Sequence, residues 1–354
     1  MTKFVISRRG LLKAGAASTA LFGIAPAIIA REAQAQEKVV YINTWGGPFT
    51  EAEENAFYKP FTAATGIQVK PVTPVSFAKL KAQVQTGNYE WDVTTLGDIE
   101  YEQAKVENLW EPVDFSVVDK SKLAASAIES HGIGSQGIST VLVYRKDKFP
   151  NGGPQSWADF WDVKKFPGNR SLINQSYTNV NYALLADGVP KDKLYPLDMD
   201  RAYKKLDQIK PHIKVWWEQG AQSQSLIKDG EVDMMCMWNA RAQDLIDQGQ
   251  PLQIVWNEAQ FQNVFWEVPR GTPRAKLAWQ FIEFSAQGKN QAEFAKRMPY
   301  GPSNPKAFDF LTKEQADKLP TSPEHLKIAF KPDAIWLGKN LGPMRERWTQ
   351  WVAG

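Results

Sequence analysis

Cysteine is nearly absent from this 354-residue chain: Cys236 stands alone in the apolar run VDMMCMW, so no intramolecular disulfide can form and the thiol reads as a small core residue. Histidine is almost as scarce. His131, His212 and His325 lie far apart, with no second ligand three or four residues away, which argues against a metal centre. No basic run occurs, so nothing offers nucleic acid or anionic lipid an electrostatic footprint. The patterns GxxxxGK[ST], GxSxG and HExxH are missing. GxGxxG occurs at Gly132, Gly134 and Gly137, but it follows the helix-like KLAASAIES and precedes the strand ISTVLVY. That is the reverse of a dinucleotide-binding turn, so the segment reads as a flexible loop. The acidic stretches EAEEN and EYEQAKVEN read as solvated helix faces, and the chain shows no catalytic constellation and no cofactor motif.

What is present begins with an export signal. Arg8 and Arg9, followed by Leu11, Leu12 and Lys13, precede an apolar run from Ala14 to Ala30 that is too short and too rich in Ala and Gly for a membrane span. The pattern is of the twin-arginine type, and Ala33-Gln34-Ala35 supplies a cleavage site, so the mature chain is expected to start at Gln36 in the periplasm. Residues 1–35 carry five basic residues and one acidic residue, so their removal takes the net charge from +3 to −1.

From Lys38 strands and helices alternate. KVVYINTW, IQVKPV and WDVTTLG read as strands, and the segments between and after them carry apolar residues at helical spacing, giving a βαβαβα order and a parallel sheet. A second α/β set follows Ser171, with the strands SLINQ, KVWWE, VDMMCMW and LQIVW. Two lobes are the natural reading. GISTVLVYRKD and QNVFWEVPRG are β-rich and suited to cross between them, and the chain after Pro273 is mainly helical.

Aromatic residues are abundant, with 14 Trp, 10 Tyr and 18 Phe. Trp45, Trp216, Trp217, Trp238, Trp256 and Trp266 fall where strands end, and in open α/β sheets ligands bind beyond the carboxyl ends of strands. At TWGGPF, Gly46 and Gly47 let a ligand approach the backbone beside Trp45.

The strand ending in NTW, the step KPFTAATGIQV, and FAKLKAQVQTGNYEWDV, PQSWADFWDVKKFPG, GEVDMMCMWNAR, VPRGTPRAKLAWQFIEF and MPYGPSNPKA, in that order, resemble the spermidine/putrescine-type solute-binding proteins of ABC importers. The resemblance covers nearly the whole mature chain. It implies a type II periplasmic binding fold, with residues 36–139 and 262–312 as one lobe and 140–261 and 313–354 as the other. It further implies a monomer that closes on a small-molecule solute, delivers it to a membrane permease and performs no catalysis. The same resemblance makes Trp45, Trp238 with Asn239 of the WN motif, and Tyr300 pocket residues.

The acids that hold amines in polyamine-binding relatives are replaced here. An ungapped reading puts Gln175 and Thr178 where an Asp and a Glu are expected, Val264 in place of a further aspartate, and Gly47 in place of an acid. Arg241 stands where diamine binders carry Asp. A guanidinium suits a carboxylate held bidentately, so the expected ligand is zwitterionic: an amino acid of the γ-aminobutyrate sort, an opine or a relative. Asp98 and Glu267 are the candidates for its amine. The competing assignments are a polyamine as the ligand, a helix-face salt bridge from Arg241 to Asp244, and, for the whole chain, a periplasmic enzyme or an envelope structural protein.

Overall fold

The computed structural model describes residues 38–354, so the export signal, its cleavage at Ala35 and the mature charge balance lie outside the described residues. β1 (Val39–Asn43) leads into α1 (Gly47–Glu53), which continues through a π-helical turn at Glu54–Tyr58 into α2 (Lys59–Thr65). β2 (Gln68–Val72) then pairs with β1 in parallel. α3 (Phe77–Thr86), β3 (Thr94–Gly97) and α4 (Asp98–Val106) complete the predicted order, and a bridge between Ile42 and Val93 sets β3 parallel to β1.

The long strand β4 (Gly132–Arg145) follows, and then α5 (Trp157–Trp161), β5 (Arg170–Ile173), α6 (Ser176–Ala186) and α7 (Met199–Ile209). Next come β6 (Ile213–Trp217), α8 (Gly220–Lys228), β7 (Met234–Trp238), α9 (Asn239–Asp247) and β8 (Leu252–Glu267). β5 pairs in parallel with both β6 and β7. The C-terminal part is mainly helical, as its periodicity predicts: α10 (Ala275–Ser285), α11 (Gly288–Ala295), the short strand β9 (Gly301–Pro302), α12 (Lys313–Asp317), α13 (Pro323–Ile328) and α14 (Ala334–Ala353).

The two β-rich segments are two antiparallel strands, β4 and β8, paired from Gly132 opposite Glu267 to Arg145 opposite Leu252. Along each of them the core changes. Ile133 and Trp266 pack with Val40, Phe57 and Phe281, whereas Val141, Val143 and Val255 pack with Leu172, Tyr182 and Leu341. One strand pair, its register shifting between Gly134 and Gln136 and between Thr140 and Leu142, thus links two hydrophobic centres, each built on its own parallel strands.

The GxGxxG segment is not the expected loop. Gly132, Gly134 and Gly137 lie inside β4, and a Cβ on Gly137 would meet the Phe261 ring at 2.6 Å, so this glycine allows close packing against β8. The helix-like KLAASAIES preceding it forms only 3₁₀ turns, at Lys120–Lys122 and Ala125–Ala127.

Candidate functional site

In both halves the parallel strands end at a rim. Trp45 follows β1 and Asp98 follows β3 on one side; Gln175 follows β5, Gly220 lies just beyond β6, and Asn239 and Arg241 follow β7 on the other. Trp45 is 51% exposed, the one tryptophan among the large exposed apolar side chains of the described residues. Its loop turns through Gly46 and Gly47 at φ of 83° and 55°, a left-handed backbone that suits glycine. Trp238 is half-buried and stands edge-on to the fully buried Trp217, with ring centroids 5.3 Å apart.

Three helices begin on the second rim: α6, α8 and α9, with Gln175, Gln219 and Trp238 at their N-cap positions. None has a side-chain cap, and none has an acidic residue in its first turn. The neighbouring α5, α7 and α14 are each capped by a side-chain oxygen, from Ser156, Asp198 and Asp333. An uncapped N-terminus leaves backbone N–H groups unpaired and carries roughly half a positive charge, which favours an anion in front of it. The lack of Ser, Thr, Asp or Asn before these helices was readable in the sequence, and that signal was missed.

Arg241 lies in the first turn of α9, half-buried. A Cβ on Gly220 would stand 3.0 Å from its Nε and 3.1 Å from the Trp238 ring, so the guanidinium, that indole and the start of α8 share one spot. Nη1 donates to Gln224 Oε1 at 3.3 Å, while Asp244 accepts from Gln224 and Gln248 instead, so the alternative Arg241–Asp244 salt bridge is not formed. Arg241 lines a cavity of about 530 Å³ together with Pro48 of α1, Met298 and Pro299, and with the acids Asp244, Asp247 and Glu314. Tyr300 is buried beside it; burial pushes its phenol up to about 12 against the opposing pull of Arg241.

Asp98 is buried at the first rim, where its Oδ2 accepts from Asn263 N at 3.3 Å and lies 3.8 Å from Lys331 Nζ. Burial lifts this carboxyl to about 7, against the pull of Lys331. Its Oδ1 has no hydrogen-bond partner among the described residues, and neither does the buried Ser176 Oγ at the start of α6.

Other candidates sit elsewhere. Glu267 pairs across from Thr94, at the end of β3 remote from the rim, because β8 runs antiparallel to β3 and its carboxyl end points the wrong way. There Glu267 is fully buried, taking a hydrogen bond from Leu96 N. The amide of Asn239 is occupied by protein: Oδ1 accepts from Ser139 N at 3.0 Å and Nδ2 donates to Pro299 O at 2.8 Å. Thr178 is closed off and donates to Gln175 Oε1 at 2.6 Å, so it props Gln175. Trp266 and Trp217 are core, Trp216 packs on Trp348 and Trp351, and Trp256 stacks on His325.

Residues 56–324 match the bacterial extracellular solute-binding proteins. The chain belongs to that family. A γ-aminobutyric acid-binding protein of Pseudomonas aeruginosa is 35% identical over 340 residues, covering 94% of this chain and 95% of the relative. The spermidine/putrescine-binding periplasmic protein of Escherichia coli is 22% identical over 298 residues, covering 80% of this chain and 83% of the relative. Among solved structures, an ABC transporter substrate-binding protein from Bradyrhizobium japonicum has a TM-score of 0.84 at 34% identity, covering 88% of this chain and 99% of its own. A binding protein from A. tumefaciens R10 in complex with agropinic acid has a TM-score of 0.81 at 31% identity, covering 89% and 99%. A γ-aminobutyrate receptor has a TM-score of 0.82 at 35% identity, covering 88% and 97%. The fold is therefore the two-lobed substrate-binding fold, and the protein is a solute-binding component of an ABC transporter.

Proposed function

We propose that the solute is a zwitterion, an amino acid of the γ-aminobutyrate sort or an opine, enclosed by closure of the two lobes and handed to a permease. The observation that carries this reading is the second rim. Three uncapped, acid-free helix N-termini and Arg241 meet at one strand edge, which favours a carboxylate and opposes a dication. Trp45 and Trp238 wall the aliphatic body, Gln175 and Tyr300 supply polar contacts, and Asp98 takes the ammonium. The names of the 35% and 31% identical relatives support it, while the 22% identity to a spermidine/putrescine-binding protein supports the polyamine alternative far less.

The lobe limits, residues 36–139 with 262–312 and 140–261 with 313–354, belong to the same proposal, supported by where the core changes along β4 and β8. So do a monomeric state and an exported, periplasmic chain cleaved after Ala35. Titration calorimetry with γ-aminobutyrate, an opine, putrescine and spermidine tests the ligand. Binding of the first or second is expected, and tight binding of a polyamine alone would overturn the reading.

A further inference from the structure

Trp45 is held from both sides by one chain of hydroxyl groups. Glu53, buried in the last turn of α1, receives two hydrogen bonds on the same oxygen, Oε2, from the Thr44 hydroxyl and from Tyr58 OH, the latter at 2.7 Å. Thr44 Oγ1 lies 2.9 Å from Thr50 Oγ1, and Gly46 N donates to Thr50 Oγ1 at 3.0 Å. Thr44 has a single hydroxyl proton, and Glu53 takes it. The proton between the two threonines must then come from Thr50, whose lone pair is left for Gly46 N–H. The chain has one direction, from the Gly46 amide through Thr50 and Thr44 to the carboxylate.

The π-helical turn at Glu54–Tyr58 makes this possible. Its i→i+5 bonding brings Tyr58 round to the face of Glu53, five residues earlier. Trp45 sits between the two attachment points, Thr44 and Gly46, in a loop whose glycines would otherwise leave it free.

We propose that Glu53, Thr44 and Thr50, with Tyr58 behind them, are positioning residues that hold the Trp45 loop in the shape the solute meets. The inference rests on the proposed function only in taking Trp45 as a wall of the solute site. Its test begins without ligand. Full-length protein labelled with 5-fluorotryptophan is compared by fluorine NMR with Thr50→Val, Thr50→Ser and Glu53→Leu, the Trp45 line being identified with Trp45→Phe. Thr50 is only half-buried, so Thr50→Val is expected to keep its melting temperature. The expected result is a shifted or broadened Trp45 line in Thr50→Val and Glu53→Leu, the other lines unchanged in Thr50→Val, and a wild-type line in Thr50→Ser. γ-Aminobutyrate, used as the probe, is expected to bind Thr50→Val roughly tenfold more weakly, the change that losing one ordinary hydrogen bond produces. An unchanged Trp45 line in folded Thr50→Val overturns the positioning role. A shifted line in a protein whose wild type binds no γ-aminobutyrate upholds the positioning role and counts against the ligand assignment instead.

Discussion

Arg241 reaches Gln224, through Nη1 at 3.3 Å, and leaves Asp244 to other partners. It forms no salt bridge among the described residues, although Asp244 and Asp247 line the same cavity, and three helix N-termini stand on the same rim. A cation kept unpaired beside a cavity is poised for an anionic ligand.

Arg241→Gln should therefore weaken binding of γ-aminobutyrate or an opine by about 1.5–3 kcal/mol, the usual worth of a hydrogen bond to a charged group. Calorimetry would show that as roughly a ten- to hundredfold rise in Kd, with little change in melting temperature. A Kd within twofold of wild type would remove Arg241 from the site.

The two tryptophans should behave differently. Trp45 is half in solvent, so Trp45→Ala is expected to raise Kd at least about tenfold while leaving stability within about 0.5 kcal/mol. Trp238 packs on Trp217, so Trp238→Ala should cost affinity and also about 2–4 kcal/mol of stability, read from urea unfolding. Equal stability losses would contradict this division of labour.

Buried acids make stability depend on pH, and burial raises Glu100 and Glu267 as well as the two considered next. Burial raises both Glu53 and Asp98 to about 7, whereas an unfolded acid titrates near about 4. Between those values the folded chain binds more protons than the unfolded one. The stabilisation is therefore complete below the unfolded value and is lost as pH rises through about 7. Melting temperature should fall from pH 5 to pH 8, each acid contributing at most about 1.4 kcal/mol per pH unit. Asp98→Asn should flatten that profile. If Asp98 takes the ligand's ammonium, binding at pH 7 should also release protons, seen as a binding heat that varies with the ionisation enthalpy of the buffer.

Asn239, in one proposed lobe, accepts from Ser139 N and donates to Pro299 O, both in the other. Asn239→Ala leaves the buried Ser139 N–H unpaired, at about 1–3 kcal/mol, and also the part-buried Pro299 carbonyl. The loss should favour the open form, so small-angle scattering should give a larger radius of gyration for the ligand-free variant than for wild type. An unchanged radius would make the contact a local one.

The strand and helix order was legible from residue 38 onward because apolar periodicity and turn residues are local signals. The strand-end positions of Trp45 and Trp238 were legible for the same reason, each being the last aromatic before a helix begins. Strand direction was not. Glu267 looked like a rim residue from its place at a strand end, and only the antiparallel pairing of β8 with β3 put it at the opposite end. Gly132, Gly134 and Gly137 looked like a loop because glycine marks turns and close packing alike, and only the Phe261 ring across the ladder told them apart.

By itself the sequence determined the alternation of elements and the strand-end places of Trp45 and Trp238, because these depend on residue type and spacing alone, while the reading of Gln175, Gly47 and Arg241 as replacements of acids came from the family resemblance. The tertiary structure decided which of those groups meet. It collected three helix N-termini from β5, β6 and β7 onto one edge, closed the amide of Asn239 and the hydroxyl of Thr178 into the protein, and turned Glu53 toward Thr44. Distance, burial and direction between residues far apart in the chain are set by packing, which no local pattern encodes.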